Sequence, residues 1–242
     1  MNILITICAR GGSKGVLGKN IKKINNKHLI GYTIESAKKF CLVMTEANID
    51  IALSTDSDQI KNICKELGLK TSYCRPDILA TDTSGKIDAI IDVLNFYEDK
   101  NRMAYDFIID LDVTSPLRTS KDLKESLAII QKNTEALNIF SVSKANRSPY
   151  FNMVEHDKNG FVKLVKNHTK NLVTRQSSPE VYDMNASFYI YKRSFFKGAY
   201  KTAITTKSMA YLVDHLCFDV DEEIDFIFLE YLITNNKLDF EL

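Results

Sequence analysis

Ile3-Leu4-Ile5-Thr6-Ile7-Cys8 runs directly into Ala9-Arg10-Gly11-Gly12-Ser13-Lys14-Gly15. A short isoleucine-rich run of this kind reads as a strand buried on both faces, as in parallel sheets. A glycine-rich turn follows, and then a helix whose apolar face carries Ile30, Ile34 and Ala37, with Cys41 one turn further on. The same alternation repeats. Asp50 to Ser54 is the next strand, and Ser57 caps a helix carrying Ile60, Ile63 and Leu67 that Gly68 ends. A third helix carries Ile87, Ile90, Ile91 and Leu94, and Phe107 to Leu111 is again a buried strand. Ser120 opens a fourth helix with Leu123, Leu127 and Ile130. Strands alternating with helices predict an α/β fold: a mostly parallel, Rossmann-like sheet with helices on both faces.

The pattern changes after Ser143. Residues 144–179 are polar and lack a helical period, with strand-like pieces around Phe161 to Val165. That is long for a loop, so the stretch is either disordered or a small β-rich projection. Strand signals resume at Ser187 to Tyr191, Tyr211 to Val213 and Leu216 to Val220, and a last amphipathic helix runs from about Glu222 to Thr234. Residues 1–242 therefore read as one domain with an insertion at about 144–179.

Composition narrows the function classes. The 242 residues carry a formal net charge of +1, which leaves no basic footprint for nucleic acid or an acidic membrane. Any anionic ligand has to be held by local basic clusters. No apolar run is long enough to span a bilayer, and Met1-Asn2-Ile3 enters the first strand without a charged leader, so a cytoplasmic protein is expected. Five cysteines without paired spacing and four scattered histidines point away from disulfides, zinc and a catalytic triad.

The loop from Arg10 to Asn20 is neither a Walker A sequence nor a dinucleotide fingerprint. Its consecutive glycines nevertheless let backbone N–H groups approach an anion, beside Arg10, Lys14 and Lys19. Taken alone it fits a tight turn with solvated cations as well as a phosphate cradle. Asp219 and Asp221 flank Val220 at the end of an expected strand, where alternation puts both carboxylates on one face. Two hard oxygen donors suit Mg²⁺, although an ordinary acidic strand end has the same spacing. Asp110 and Asp112 form a second such pair at the end of the Phe107 strand, on the side of a parallel sheet where ligands bind.

Read together, these motifs resemble one family. Cys8 to Gly15 with Lys19-Asn20 is similar to the opening motif of the CMP-sialic acid synthetases (acylneuraminate cytidylyltransferases). Ser54-Thr55-Asp56, Arg75-Pro76, Leu79 to Thr83, Thr114-Ser115-Pro116-Leu117-Arg118, Arg175-Gln176, Tyr182, Asn185 and Asp219-Val220-Asp221 follow in the family's order. The resemblance implies a nucleotidyltransferase that joins CTP to a nonulosonic acid, giving a CMP-sugar and pyrophosphate. It implies that Ala9, Arg10, Gly11, Gly12, Ser13, Lys19 and Asn20 hold the phosphates, and that Arg75, Asp82 and Thr83 line the cytidine pocket. Arg175 would clamp the sugar carboxylate, with Gln176, Tyr182 and Asn185 on its other polar groups and Asp112 as a further sugar contact. Asp219 and Asp221 would hold Mg²⁺, and Arg10, Lys19 and Asp221 would carry the catalysis.

Two positions depart from the sialic acid pattern. Asp112 stands where those enzymes usually have Gln, and Lys86 stands where they tend to have a small polar residue. Both features resemble the branch acting on legionaminic acid and related bacterial sugars. The competing readings are a GT-A type glycosyltransferase, which would have no use for the Arg10 loop, and a non-catalytic nucleotide-binding regulator. The insertion retains Tyr150, Phe151, Met153, Phe161, Val162, Leu164 and Val165. Such a patch, and the family's exchanged arm in this region, imply a homodimer.

Overall fold

A computed structural model describes residues 1–12, 16–167 and 178–242. Its strands are β1 (Asn2–Cys8), β2 (Lys23–Ile24), β3 (Lys27–His28), β4 (Asn48–Ser54), β5 (Phe107–Leu111), β6 (Asn138–Lys144), β7 (Val154–His156), β8 (Val162–Leu164), β9 (Tyr182–Lys192) and β10 (Ser208–Leu212). The helices are α1 (Leu29–Val43), α2 (Asp58–Glu66), α3 (Lys86–Asn101), α4 (Ser120–Lys132) and α5 (Glu223–Thr234).

The central sheet has six strands in the order β10-β6-β9-β5-β1-β4. β1 runs parallel to β4 and β5, β10 runs parallel to β6, and β9 alone opposes its two neighbours. Side-chain alternation divides the interior into two layers. Ile3, Ile5 and Ile7 of β1 join Leu53 and Ile109 in the layer covered by α1, α2, α4 and α5. Leu4 joins Ala52 and Ile108 in the layer under α3. The helices thus lie on both faces, as the sequence predicts. The parity of this second layer matters for function, because continued to the strand ends it places Thr6, Cys8, Ser54 and Asp110 on the α3 side.

Local signals account for most element ends. The Ser57 hydroxyl accepts from the Ile60 amide, and Gly68 takes a left-handed φ of 79° just past α2. Ser120 is the first residue of α4, but the cap is Thr119. Thr119 and Asp122 form a reciprocal capping box, whose return bond the apolar Leu123 side chain could not make to Ser120.

Two sequence expectations need correction. Leu216 to Val220 is not a strand. The segment crosses the end of the sheet with its backbone satisfied by different elements: Ser143 Oγ donates to the Cys217 carbonyl (3.2 Å), Ser115 Oγ to that of Phe218 (3.0 Å), and the Val220 amide donates to the Thr114 carbonyl (2.8 Å). Asp219 and Asp221 consequently do not share a strand face. Within the insertion, β7 and β8 form an antiparallel hairpin, with Val154 opposite Leu164 and His156 opposite Val162. It exposes Phe151, Met153, Val154, Phe161 and Val162.

His215 fastens the chain after β10 to α4. Its Nε2 lies 2.9 Å from Asp122, its ring stacks on Phe240, and Tyr211 donates to Glu125 beside it. Burial pushes the imidazole pKa down, but Asp122, the Leu216 carbonyl and Asp239 outweigh it, so the pKa lies above the usual 6.5. The contribution of this contact to stability is therefore complete below about pH 6.5 and lost as pH rises through the higher folded value. Burial pushes the Asp122 carboxyl up, but His215 and the Thr119 hydroxyl and amide outweigh it and lower it, so its part is lost only as the medium becomes acidic. The urea midpoint of the wild-type protein should fall as pH is raised across neutrality, and His215→Asn should flatten that slope. Parallel slopes in the two proteins would show that the pair is energetically silent.

Candidate active site

A cavity of about 480 Å³ opens at the carboxyl ends of β1 and β5, under the first turn of α3. Its wall brings together Arg10, Lys19, Asn20, Arg75, Asp82, Lys86, Asp112, Thr114 and Asp221, residues scattered over more than two hundred positions of sequence. This is the crevice where a parallel sheet places ligands.

The glycine-rich loop is tied down at both ends. The Ala9 amide donates to the Ser54 carbonyl, and the Gly11 amide to Asp56 Oδ1 at 2.9 Å. Gly12 is exposed, and a side chain there would meet nothing within 4 Å among the described residues. Gly18 adopts a left-handed φ of 63°, which L-residues rarely adopt, and turns the chain so that Lys19-Asn20-Ile21 forms a single 3₁₀ turn. Asn20 is buried and its amide donates to the Arg10 carbonyl at 3.0 Å. Lys19 donates to the Val220 carbonyl (2.7 Å) and lies 3.4 Å from Asp221. Arg10 pairs with Asp82 at 2.8 Å. Ser13 lies outside the described residues.

Arg75 is buried and serves the sheet as well as the cavity. Its Nε donates to Ser54 Oγ and its Nη2 to the Ser54 carbonyl, both at 2.9 Å. Thr83 is exposed and meets Thr81, which lines the cavity in its place.

Opposite this wall lies a carboxylate cluster. Asp110 is fully buried; Thr6 Oγ1 donates to one of its oxygens at 2.8 Å, and Lys86 Nζ lies 2.7 Å from the other. That second contact is an ion pair outside hydrogen-bond alignment. Lys86 also lies 2.6 Å from Asp112, whose other oxygen accepts from the Thr114 amide and hydroxyl. Burial pushes the Asp112 carboxyl up, but Lys86 and Thr114 more than offset it and hold its pKa at about 2. Burial and the nearby Asp110 push the Cys8 thiol up to about 12, so it stays protonated and offers no thiolate.

Asp221 is exposed and lines the cavity, whereas Asp219 sits deeper, with a buried Oδ1 that has no hydrogen-bond partner. Burial raises the Asp219 carboxyl, and the charges of Asp112 and Asp221 push the same way. An orphaned buried carboxylate oxygen near a second, accessible carboxylate is chemistry that could hold a divalent cation. Among the described residues no cluster of three or more acidic, histidine or cysteine side chains could hold a metal alone. Mg²⁺ needs only one or two carboxylates, because water and substrate phosphates complete its octahedron.

Of the expected sugar residues, Asp112 lines this cavity, whereas Asn185 and Tyr182 do not. Asn185 is buried within the sheet: its Oδ1 accepts from Ser141 Oγ and the Ser187 amide, and its Nδ2 donates to Ser143 Oγ. Tyr182 lines a separate cavity of about 640 Å³ at the base of the insertion, with Lys144 and Arg147, and donates to Glu180. Arg175 and Gln176 lie outside the described residues. Sequence reasoning missed Cys8, Ser84, Gly85 and Ala89 as lining residues. For Cys8 a signal was available, since strand parity puts it on the same face as Thr6.

A sequence profile described as Cytidylyltransferase matches residues 4–235. The post-translational flagellin modification protein B of Campylobacter coli is 39% identical over 236 residues, covering 98% of this chain and 97% of that protein. The CMP-N,N'-diacetyllegionaminic acid synthase of Campylobacter jejuni is 38% identical over the same shares of the two chains. Among solved structures, a CMP:2-keto-3-deoxy-manno-octonic acid synthetase complexed with CTP superposes with a TM-score of 0.69 over 98% of this chain and all of the other. At 13% identity that likeness is one of fold.

Proposed function

The chain belongs to the cytidylyltransferase family, and from that premise we propose that it activates a nonulosonic acid with CTP, releasing pyrophosphate and a CMP-sugar. The observation that carries this reading is the cavity itself. Its wall presents Arg10 and Lys19 to a triphosphate, and polar groups around Lys86 and Asp112 to a hydroxylated partner.

In the reaction the anomeric hydroxyl of the sugar acid attacks the α-phosphorus of CTP. A new O–P bond forms, the bridging bond to the β-phosphate breaks, the hydroxyl loses its proton, and pyrophosphate leaves. Arg10 and Lys19 bind and orient the phosphates, and charge-assisted bonds to them strengthen as negative charge gathers on the leaving group. Arg75, braced on Ser54, holds the nucleoside end rigidly. Asp219 and Asp221 would hold Mg²⁺, which supplies Lewis-acid stabilisation of the phosphoryl oxygens when bound. The described cavity wall contains no histidine and its one thiol is protonated, so neither imidazole nor thiolate chemistry enters from these residues.

A GT-A type transferase acts on a finished nucleotide sugar and would leave the Arg10 loop idle. The loop's contacts to Asp56, Asp82 and Asn20 favour the CTP reading. No helix among the described residues is long and apolar enough to cross a membrane, which supports placing the enzyme in the cytoplasm.

We also read the protein as a homodimer. The hairpin of β7 and β8 exposes Phe161 and Val162 at 74% and 60%, and a monomer would leave them in water. Exchange between two copies would let each hairpin cover its partner in a self-complementary interface. Light scattering at micromolar concentration should give twice the chain mass, and deletion of the hairpin should lower activity. A fully active monomer would exclude the dimer.

The substrate test is a panel of 2-keto-3-deoxy sugar acids assayed with CTP and Mg²⁺ for pyrophosphate release. Asp112 and Lys86 lead us to expect a higher kcat/KM with legionaminic acid derivatives than with N-acetylneuraminate. A clear preference for N-acetylneuraminate would refute the sugar assignment, and no CTP turnover with any sugar acid would refute the function.

A further inference from the structure

Among the described residues, Lys86 is the cation of the cavity that pairs with two carboxylates, Asp110 at 2.7 Å and Asp112 at 2.6 Å. An ammonium has three N–H donors; Asp112 takes one in a hydrogen bond and the Asp110 contact is an ion pair outside hydrogen-bond alignment, so the third N–H, at least, is left. The side chain is 36% exposed and lines the cavity, with the Tyr189 ring 5.1 Å away on its remaining flank. Asp112, by contrast, spends three acceptor positions on the Thr114 amide, the Thr114 hydroxyl and Lys86, and its side chain is less exposed, at 21%. The group turned towards a ligand is thus the lysine, and the aspartate is its support.

We propose that Lys86 is the residue that reads the sugar acid, donating its third N–H to an uncharged acceptor oxygen, a hydroxyl or an acyl carbonyl, and that Asp112 is a positioning residue acting through Lys86. This rests on the CMP-sugar reading above. Charge arithmetic selects the acceptor: two carboxylates and one ammonium leave the cluster at −1, so it repels phosphate and the sugar's own carboxylate. The phosphates are left to Arg10 and Lys19. Position selects the sugar over the cytosine. Thr114 donates to Asp112, and its carbonyl accepts from the Val220 amide between Asp219 and Asp221, so the cluster adjoins the end of the cavity where the reacting phosphorus would lie. The base, held from the Arg75 side, is a ribose away from that point.

The test measures both Michaelis constants in Lys86→Met, Asp112→Asn and the double variant. Lys86→Met should raise the KM for the preferred sugar acid at least tenfold, about 1.4 kcal/mol, with the KM for CTP changed less than twofold. Asp112→Asn should raise it less, and the double variant should be no worse than Lys86→Met, because a support has no effect once the supported group is gone. The double variant also removes one of the two carboxylates left unpaired by Lys86→Met, and it carries the readout if the single variant fails to fold. An unchanged sugar KM in either Lys86 variant overturns the proposal, as does a rise confined to CTP. Additive effects of the two substitutions would mean that Asp112 touches the sugar itself, and would overturn the positioning role. Wild-type turnover is measured alongside, so failure of the function as a whole is seen separately.

Discussion

A carboxylate buried in the middle of a sheet constrains everything near it. Asp110 is fully buried on β5, and an unpaired charge there would cost several kcal/mol. Two groups answer it. Thr6 is its in-register neighbour on β1, so that contact depends on the parallel pairing of the two strands. Lys86 is the first residue of α3, so the second contact fixes the start of that helix over the strand ends. The cavity is the space left between those two requirements. Its shape and the placement of Lys86 follow from how Asp110 is neutralised.

The rest of the wall has a complementary layout. Arg10 and Lys19 come from the loop after β1 and Arg75 from the segment between α2 and α3, whereas Asp219 and Asp221 come from the segment that crosses the sheet ahead of α5. These charges are partnered with one another, Arg10 with Asp82 and Lys19 with Asp221. A triphosphate arriving with a divalent cation would exchange both pairs at once, phosphate for carboxylate at the lysine and arginine, cation for ammonium at Asp221. Such an exchange conserves local charge, which limits the desolvation cost of bringing a highly charged ligand into a half-buried site.

Much of this was legible in the sequence, and the reasons are physical. β1 and β5 were readable because strands buried on both faces leave uninterrupted apolar runs, and α2 because Ser57 and Gly68 mark its ends. Leu216 to Val220 was misread because an apolar, extended stretch reports burial, not pairing; its hydrogen bonds go to Ser143, Ser115 and Thr114, which no local pattern foretells. The same limit explains the site. Arg10, Lys19, Arg75 and Asp221 could be named from motifs, and all four reach the cavity. That Asn185 would spend its amide on three sheet residues depends on the antiparallel β9, whose direction the local pattern left open. Lys86 stood out as a departure, yet its double pairing is visible only once α3 is placed over β5.

The central claim is that this cavity is a nucleotidyl-transfer site whose chemistry depends on the two carboxylates of the crossing segment. Turnover of CTP and a sugar acid by Asp221→Ala, set against CTP affinity measured by titration, tests it most directly. The account expects kcat to fall about a hundredfold, roughly 3 kcal/mol of transition-state stabilisation, with CTP binding much less affected. Full activity in the Asp219→Ala/Asp221→Ala double variant would contradict it.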